Sequence, residues 1–519
     1  MNGEMDERFW GWLTRDAVAY HARVRPDAAA CCDLADGRRY SFRELDAEID
    51  RWAAHLAGSI TPGARVAVLA RNSVLHILLF YACLRSGAVF VPLNWRLPAR
   101  ELAGLLADCA PERLVVAAEF RGAAEEAALL AAVSGLRIAD AVDAPAGPGG
   151  DATPAGPDAP ITLLYTSGTT GRPKGVVVTP RTAFFGAYNF IQVSGLTAGS
   201  TLLADAPLFH VVGLLAIMHA GLGAGGVVLL SDRFAPSITL ERLSDPALAV
   251  SHYFCVPQMA QALRAEPGFA AARLDRLTGF FTGGAPMPAA LTEAYLDRGV
   301  AMSNGYGLSE AGTVMHVPLD RAVARSMLGA AGVPAPAIEV RLADRRGDDV
   351  ARGQVGEVWL RGPGVTPGYW NQPEATAAAF KEGWFRTGDA ALQDQDGVYF
   401  LVDRWKDMYI TGGENVYPAE IEAVLLEHEA VQDVAVIGIP DERWGESGCA
   451  YVVRDPGSSL DASVLAAFCG GRLARYKRPT AIRFIDAIPR TASGKIRKDT
   501  LRRAYAAEAE QVSVSRTDP

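Results

Sequence analysis

Basic residues are in the minority in this chain, and lysine is the scarcer of the two kinds. The 519 residues carry 50 Lys and Arg against 59 Asp and Glu, which gives a formal net charge of −9. No basic stripe or aromatic-interleaved basic patch is present, so the sequence does not fit a nucleic-acid-binding protein. Six of the basic residues are lysines, namely Lys174, Lys381, Lys406, Lys477, Lys495 and Lys498. Because arginine is used so freely elsewhere, we expect these lysines to mark positions that need a compact ammonium.

Paired cysteines and targeting segments are also missing. The seven cysteines are scattered without a CxxC pair or metal-ligand spacing, which predicts reduced thiols in the cytoplasm and no Cys/His metal site. The N-terminus lacks the positive-then-apolar order of a signal peptide. The stretch from Val211 to Leu230 has no charge, but it contains five glycines and lacks basic flanks. We predict a core helix followed by a buried strand there, and no membrane span.

The composition is that of a well-packed globular protein with more than one domain. Half of the chain, 50%, is hydrophobic and 21% is charged. Strand-like runs alternate with helical periodicity up to residue 340, which predicts parallel α/β layers. For example, Ser41 with Glu44 three residues later predicts a capped helix that runs to Gly58. From Ile338 to Phe400 the pattern becomes that of β-strands punctuated by Gly and Pro.

The predicted fold class is α/β with a second, smaller unit. We expect a large multi-layer α/β domain with a β-rich subdomain over residues 1–403. A small, mobile α+β domain should follow over residues 404–519, with its hinge at the charged string 404–407. Its expected elements are a helix over Pro418–Glu429, a strand over Val431–Ile439 and a helix over Ser463–Leu473.

One segment of ten residues, Thr166 to Gly175, carries the strongest functional signal. It lies between two predicted buried strands and contains four hydroxyls, three glycines and one lysine. Such a loop can aim N–H and hydroxyl donors at a polyphosphate. It is not a Walker A loop, because Pro173 stands where that pattern needs Gly-Lys-Ser/Thr. The predicted phosphate-binding residues are Thr166, Ser167, Gly168, Thr169, Thr170, Gly171 and Lys174.

Further motifs follow in a fixed order, and together they make residues 10–505 resemble the adenylate-forming enzymes. This family includes acyl- and aryl-CoA synthetases, luciferases and peptide-synthetase adenylation domains. The resemblance implies that the segment Thr166–Lys174 is a phosphate loop for ATP. It also implies that an aromatic ring, that of Tyr306, stacks on adenine. The residues that match the walls of the adenine site are Gly284, Ala285, Pro286, Asn304, Gly305, Tyr306 and Gly307.

The resemblance also assigns residues to the metal and the ribose. Ser309-Glu310 stands where the family has Thr/Ser-Glu, and a lone carboxylate beside a triphosphate suits Mg²⁺. Glu310 is therefore the predicted metal ligand, and we count it among the catalytic residues. Asp389 matches the family's Thr-Gly-Asp segment, whose aspartate accepts hydrogen bonds from the ribose hydroxyls. Arg404 would support the same ribose and the phosphates.

In the small domain, the loop Pro489–Ile496 resembles the one that delivers the family's catalytic lysine. An ammonium at Lys495 would neutralise the charge that builds up when a carboxylate attacks the α-phosphate. Gly412 and Gly413 match a loop that lines the family's pantetheine tunnel, and Lys406 falls at the hinge position. Trp444 either borders the CoA path or is a core tryptophan.

The acid substrate is indicated by the segment that ends at His210. Amino-acid-activating relatives have an aspartate there, so His210 argues for the acyl and aryl branch. His210 either borders the carboxylate or the γ-phosphate exit, as a catalytic residue, or is a packed core histidine. The other expected pocket segments are His252–Cys255, Phe281–Gly283 and Ala311–Thr313. They are apolar or small and lack an obvious basic group, which favours a monocarboxylic aliphatic or aromatic acid.

The implied activity is that of an AMP-forming acid–CoA ligase. It would use ATP and Mg²⁺ to adenylate the acid, release pyrophosphate and pass the acyl group to CoA. The open alternatives are a free carrier protein as acceptor, nitrite activation for diazotisation of an aryl amine, and a non-catalytic nucleotide-binding relative. No carrier module follows the small domain in this sequence, so we expect a separate acceptor. The oligomeric state stays open between monomer and homodimer.

Overall fold

The computed structural model describes residues 16–140, 152–166, 173–285, 287–405, 407–411, 414–455, 457–470, 472–490 and 496–514. The chain forms two compact units. The first comprises the residues up to 340 together with 360–385, and the second comprises 341–359 together with the residues from 386 onward. The proposed hinge at 404–407 stays a prediction.

One sheet of the first unit contains both strands that flank the predicted phosphate loop. Its strands in spatial order are Arg137–Asp140, Arg113–Val116, Arg65–Leu69, Val89–Pro92, Thr162–Thr166 and Lys174–Val178. The strands pair in parallel except for the last two, which are antiparallel. Val66 and Val68 belong to one buried cluster and Ala67 and Leu69 to another, so both faces of this sheet are covered. Burial on both faces explains why such strands are continuous apolar runs in the sequence.

A second sheet of the first unit positions the other predicted site residues. Its strands in spatial order are Val333–Pro334, Gly312–His316, Met302–Leu308, Gly279–Thr282, His252–Cys255, Thr201–Ala204, Val227–Leu230, Ala29–Asp33 and Arg39–Ser41. The central strands are parallel. Their carboxyl ends therefore share one edge of the sheet, which is where open α/β sheets bind ligands.

Helices cover these sheets. The α-helices of the first unit are Ala17–Val24, Phe42–Ala57, Val74–Ser86, Ala99–Cys109, Arg121–Ala131, Pro180–Ser194, Ala220–Gly223, Pro236–Ser244, Pro257–Ala265, Ala289–Asp297, Arg321–Ser326 and Pro373–Ala379. Short 3₁₀ segments lie at Ala118–Phe120, Pro267–Ala271 and Leu274–Arg276, and a π-helix spans Val212–His219. The helix predicted from Ser41 is confirmed, including the capping box in which Ser41 and Glu44 bond each other's backbone N–H groups.

The second unit is built on a mostly antiparallel sheet. Its strands in spatial order are Glu414–Val416, Tyr409–Thr411, Gly445–Arg454 and Val431–Asp441, with Ala481–Phe484 parallel to Gly445–Arg454. The helices of this unit are Pro418–Leu426, Ala462–Phe468, the 3₁₀ turn Arg475–Lys477 and Lys498–Val514. Other strands of the chain are Glu339–Ala343, Val355–Arg361, Phe380–Lys381, Trp384–Gln393 and Tyr399–Arg404.

The structure corrects three sequence predictions. The helix expected over Pro418–Glu429 ends at Leu426, and the helix expected over Ser463–Leu473 ends at Phe468. The β-rich stretch after residue 338 is interrupted by the helix Pro373–Ala379. The uncharged stretch from Val211 does form a helix followed by a buried strand, as predicted, but much of the helix is a π-helix.

Candidate active site

The predicted phosphate loop connects the two strands of a β-hairpin. Thr162–Thr166 and Lys174–Val178 are antiparallel, and Thr166 pairs with Lys174. The two ends of the loop are therefore neighbours at one edge of the sheet. The loop residues Ser167, Gly168, Thr169, Thr170 and Gly171 lie outside the described residues.

Glu310 occupies the turn between two other antiparallel strands, Met302–Leu308 and Gly312–His316. One oxygen of its carboxylate, Oε1, accepts a hydrogen bond from the hydroxyl of Tyr369 at 2.9 Å. The ring of Tyr369 also faces the ammonium of Lys174, whose Nζ is 4.7 Å from the ring centroid. The structure thus gathers the predicted metal ligand and the phosphate-loop lysine around one tyrosine that the sequence analysis missed.

A narrow pocket opens next to Glu310. It is lined by Val177, Val178, Thr182, Leu215, Ser309, Glu310, Gly312, Gly364 and Thr366. The lining combines a carboxylate and hydroxyls with small and aliphatic groups. Among the described residues, no cluster of three or more His, Cys, Asp and Glu side chains could hold a metal ion. A cation here would rely on one carboxylate together with oxygens of the substrate, which is how Mg²⁺ is commonly held.

The predicted walls of the adenine site come together at the carboxyl ends of adjacent parallel strands. Thr282 pairs with Asn304 across the two strands, so Gly284 and Ala285 come just beyond the strand neighbouring Asn304. The side chain of Asn304 accepts a hydrogen bond from the Thr282 hydroxyl at 3.3 Å and donates one to the carbonyl of Ala330 at 2.7 Å. Asn304 is therefore held in place by two neighbours. Pro286 lies outside the described residues.

Glycines allow these walls to approach each other. A Cβ atom on Gly283 would lie 3.0 Å from the carbonyl oxygen of Gly305, and one on Gly307 would overlap the carbonyl oxygen of Gly312. Larger residues would push the strands apart. Tyr306, the predicted adenine-stacking residue, is 8% exposed in the same strand.

His210 lies in a loop that a buried asparagine holds. The side chain of Asn72 donates a hydrogen bond to the carbonyl of Ala206 at 2.9 Å and accepts one from the N–H of Leu208 at 2.9 Å. The His210 N–H donates to the carbonyl of Pro207 at 3.1 Å. His210 is partly exposed and follows the carboxyl end of the strand Thr201–Ala204. The loop therefore places His210 at the same edge of the sheet as the predicted walls of the adenine site.

The predicted acid-pocket segments supply an aromatic cluster at that edge. Phe254 stacks on Phe190 with ring centroids 5.7 Å apart and planes inclined by 21°. Phe281 meets the same Phe190 edge-on at 5.2 Å. The ring of Phe254 lies against Gly283, where an added Cβ atom would be 3.3 Å away. The aromatic cluster is thus adjacent to the predicted adenine wall.

His252, in the same predicted segment, is a buried structural residue. Its Nε2 donates to the carbonyl of Ser194 at 3.1 Å, and its Nδ1 lies 2.8 Å from the Ser251 hydroxyl. Burial lowers its pKa, so the ring is neutral at physiological pH. His252 supplies no positive charge to the pocket.

The profile of AMP-binding enzymes matches residues 18–370, and that of the AMP-binding enzyme C-terminal domain matches residues 420–495. This chain belongs to the AMP-binding enzymes.

Relatives of this AMP-binding enzyme include CoA ligases for aromatic acids. It is 42% identical over 491 residues to a feruloyl-CoA synthase of an Amycolatopsis species, covering 93% of this chain and 97% of the relative. It is 38% identical over 507 residues to an indoleacetate–CoA ligase of Aromatoleum aromaticum, covering 95% and 98%. The structure of o-succinylbenzoate CoA synthetase from Bacillus subtilis with its acyl-adenylate has a TM-score of 0.84 at 30% identity, covering 94% and 97%. The predicted family, fold class and enzyme class, an AMP-forming acid–CoA ligase, are confirmed.

The second unit of this AMP-binding enzyme carries the predicted ribose site. Asp389 pairs with Arg404 across two antiparallel strands. The backbone next to Asp389 is held by Glu357, a buried residue that the sequence analysis missed. Its Oε1 accepts from the N–H of Gly388 at 3.2 Å, and its Oε2 accepts from the Arg386 guanidinium at 3.1 and 3.2 Å.

The remaining predicted residues of the second unit are less fully placed. Gly412, Gly413, Lys406 and Lys495 lie outside the described residues. Trp444 is 44% exposed, with the Arg443 guanidinium 4.7 Å from its ring centroid, so the core-tryptophan alternative is wrong. Within the described part of the chain, no helix is both long and apolar enough to cross a membrane.

The missed residues left only weak signals in the sequence. Glu357 places an acid in the strand Val355–Arg361, whose residues 356–360 are all buried, and Asn72 comes three residues after the end of the buried strand Arg65–Leu69. Tyr369 lies 59 residues from its partner Glu310, and no local pattern connects the two.

Proposed function

We propose that this AMP-binding enzyme adenylates an aromatic monocarboxylic acid with ATP and Mg²⁺, releases pyrophosphate and transfers the acyl group to CoA. The observation that carries the choice of an aromatic acid is the ring of Phe254, which stacks on Phe190 and lies against Gly283, next to the predicted adenine wall. The ring is partly exposed, so a planar substrate could pack on it with its carboxylate directed toward the nucleotide.

The first unit fits ATP with a hard cation. Lys174 at the end of the phosphate loop provides positive charge, and Glu310 provides a carboxylate oxygen next to Ser309 and Thr366. When bound, Mg²⁺ would offset the charge of the triphosphate. The acid arrives as a carboxylate, so its attack on the α-phosphate needs no general base from the chain. It needs positive charge where negative charge develops, and Lys495 is the proposed source.

A second carboxylate on the substrate would find no counter-charge near the aromatic cluster. The residues that line the small cavity at this cluster are Phe190, Leu202, Leu203, Ile217, His252, Tyr253, Phe254 and Phe281. They include no lysine or arginine, and the one histidine is neutral and already bonded through both ring nitrogens. Burying an unpaired carboxylate among them would be costly. This favours a monocarboxylic acid.

CoA as the acceptor rests on the relatives and on the Gly412-Gly413 motif. Two adjacent glycines allow a thin ligand to approach the backbone closely. A free carrier protein remains the alternative acceptor.

A pyrophosphate-release screen tests the proposal. Cinnamate-like and arylacetic acids would be compared with straight-chain acids of similar size, with dicarboxylates and with nitrite, each with and without CoA. We expect the highest kcat/KM for aromatic monocarboxylates and formation of a thioester only when CoA is present. Equal rates for straight-chain acids would contradict the aromatic assignment. Pyrophosphate release without a thioester product would point to another acceptor, and release with nitrite would point to a different reaction.

Two variants sharpen the test. Phe254→Leu should lower the ratio of kcat/KM for aromatic over straight-chain acids by removing the stacking ring. Phe280→Leu is the matched control, because the ring of Phe280 packs against Tyr253 and Tyr295 and not against that of Phe190. It should leave that ratio unchanged even if it lowers stability.

A further inference from the structure

The segment Thr366–Trp370 runs alongside the strand that leaves the phosphate loop. The N–H of Val177 donates to the carbonyl of Gly368 at 3.1 Å, and the N–H of Trp370 donates to the carbonyl of Gly175 at 2.8 Å. Between these two bonds, Tyr369 bridges to Val176. The backbone of Tyr369 is therefore fixed relative to Lys174 and the end of the loop.

The same segment also holds Glu310, at both its backbone and its side chain. The Thr366 N–H donates to the Glu310 carbonyl at 2.6 Å. The Tyr369 hydroxyl donates to Glu310 Oε1 at 2.9 Å. Thr366 itself is buried and its hydroxyl bonds to Val177 and Gly368, so it is a rigid support. Both the position and the orientation of the carboxylate are therefore set by this segment.

Tyr369 also contacts two oppositely charged side chains, those of Lys174 and Glu310. Lys174 Nζ lies 4.7 Å from the centroid of the tyrosine ring, within the range of a cation–π contact. Among the described residues, no ion pair joins Lys174 to Glu310. In a direct ion pair, the ammonium would be less available to phosphate and the carboxylate less available to a cation. The two groups instead contact different parts of Tyr369, the lysine its ring and the carboxylate its hydroxyl, which leaves the ammonium available to phosphate and the second carboxylate oxygen available to a cation.

We propose that Tyr369 is a positioning residue that orients Glu310 toward Mg²⁺ and prevents Lys174 from pairing with it. This inference rests on the proposed function, because it assigns Glu310 and Lys174 to the metal and the phosphates of ATP. The hydroxyl orients the carboxylate of Glu310, and the ring contacts the ammonium of Lys174. The two roles are separable by substitution.

Tyr369→Phe removes the hydroxyl and keeps the ring. We expect the Mg²⁺ concentration for half-maximal ATP binding, measured by isothermal titration calorimetry, to rise roughly tenfold, as for loss of a hydrogen bond to a charged group. ATP binding without Mg²⁺ should be unchanged. Tyr369→Leu removes both groups and should weaken ATP binding with and without Mg²⁺, because Lys174 can then pair with Glu310.

Tyr165→Phe is the matched control. Tyr165 lies in the same hairpin, but its hydroxyl donates to Asp108 and not to Glu310. The control should leave the Mg²⁺ dependence of ATP binding unchanged. A change in that dependence equal to the change in Tyr369→Phe would overturn the proposal, since it would reflect a general loosening of the hairpin.

A double-mutant cycle tests the connection through Glu310. Once Glu310→Gln has removed the charged acceptor, adding Tyr369→Phe should cost little more, so the two effects should be strongly non-additive. Full additivity, or an unchanged Mg²⁺ midpoint in Tyr369→Phe, would overturn the inference. The proposed function fails separately, if the wild-type enzyme releases no pyrophosphate with any acid.

Discussion

Glu357 is 3% exposed, and its two carboxylate oxygens accept hydrogen bonds from three residues. Besides Gly388 and Arg386, the indole Nε1 of Trp359 donates to Oε2 at 2.9 Å. These donors surround the carboxylate within the second unit and fix the backbone that leads into Asp389. Asp389, which is proposed to contact the ribose, is therefore positioned by Glu357, which has no proposed contact with the ribose.

Substitution of Glu357 by Gln should weaken ATP binding more than it slows chemistry. The amide keeps one acceptor oxygen, which would face Trp359 and Arg386, so its NH2 group would face the N–H of Gly388, at a cost of about 1–3 kcal/mol in the free energy of unfolding. Because ribose contacts are made alike in the ground and transition states, the KM for ATP should rise while kcat changes little. Steady-state kinetics and urea unfolding measure both effects.

Glu339→Gln provides the comparison for this prediction. Glu339 is exposed and pairs with Arg361 on the surface, so its loss should cost at most about 1 kcal/mol and leave the KM for ATP unchanged. A fall in kcat with an unchanged KM for ATP in Glu357→Gln would contradict the positioning role.

At the scale of elements, the π-helix Val212–His219 follows directly on the loop that carries His210. The N–H of Leu214 donates to the carbonyl of His210 at 2.9 Å, so the helix and the loop share a hydrogen bond. A Cβ atom on Gly213 would overlap the carbonyl of Pro207. The wider turn of a π-helix, which is often found at functional sites, brings backbone against backbone here.

Gly213→Ala should therefore disturb the loop. We expect a loss of about 1–3 kcal/mol in stability, typical of overpacking, together with a raised KM for the acid. Gly223→Ala is the control, because its added Cβ atom would meet only the Ile191 side chain at an ordinary 3.7 Å. Urea unfolding measures the stability of both variants, and steady-state kinetics with the acid substrate measures its KM. Equal changes of stability and KM in the two variants would refute a special role for Gly213.

Elements and site residues differed in how far the sequence predicted them. The helix from Ser41 could be predicted because its caps and its apolar periodicity are local features of the sequence. The π-helix could not be predicted, since an unbroken apolar run shows no helical periodicity. Lys174, Glu310 and Asn304 were found because motifs carry them. Tyr369 and Asn72 act through partners 59 and more than 130 residues away, and such contacts exist only after folding.

At the scale of the whole molecule, the resemblance predicts that the two half-reactions use different parts of the small domain. Lys495→Ala should slow adenylate formation on the order of a hundred- to a thousandfold, because it removes a charge that stabilises the transition state. Conversion of a supplied acyl-adenylate with CoA should be nearly unaffected. Gly413→Leu should do the reverse, and Lys406→Pro should impair the second step most. Single-turnover kinetics on each half-reaction measures these effects. Equal slowing of both half-reactions by each variant would argue against a small domain that uses different residues in the two steps.

Stability of the first unit should fall in mild acid. Burial lowers the pKa of His76 to about 4, and burial also lowers that of His219 to about 4. Unfolded histidines titrate near their usual pKa of about 6.5, so the unfolded state binds more protons between these values. The stabilisation is complete above about pH 6.5 and is lost as the pH falls toward 4, at up to about 1.4 kcal/mol per pH unit for each residue.

Urea unfolding between pH 7 and pH 4.5 tests this expectation. In His219→Gln the slope of stability against pH should be smaller, while the amide can still bond the Tyr81 hydroxyl, which lies 3.0 Å from His219 Nδ1. An unchanged slope in the variant would rule out His219 as a source of the acid sensitivity.

The cover over the strand Lys174–Val178 has a consequence for biosynthesis. Among the described strands of its sheet this one is outermost, and it contains three consecutive valines. Uncovered edges of this kind pair readily with other chains. The residues that cover it, Thr366–Trp370, are translated late, since Thr366 follows its partner Val177 by 189 positions. Until those residues have been made, the strand Lys174–Val178 is an exposed edge strand in the nascent chain. Truncated products that end before Thr366 should therefore aggregate by pairing through this strand.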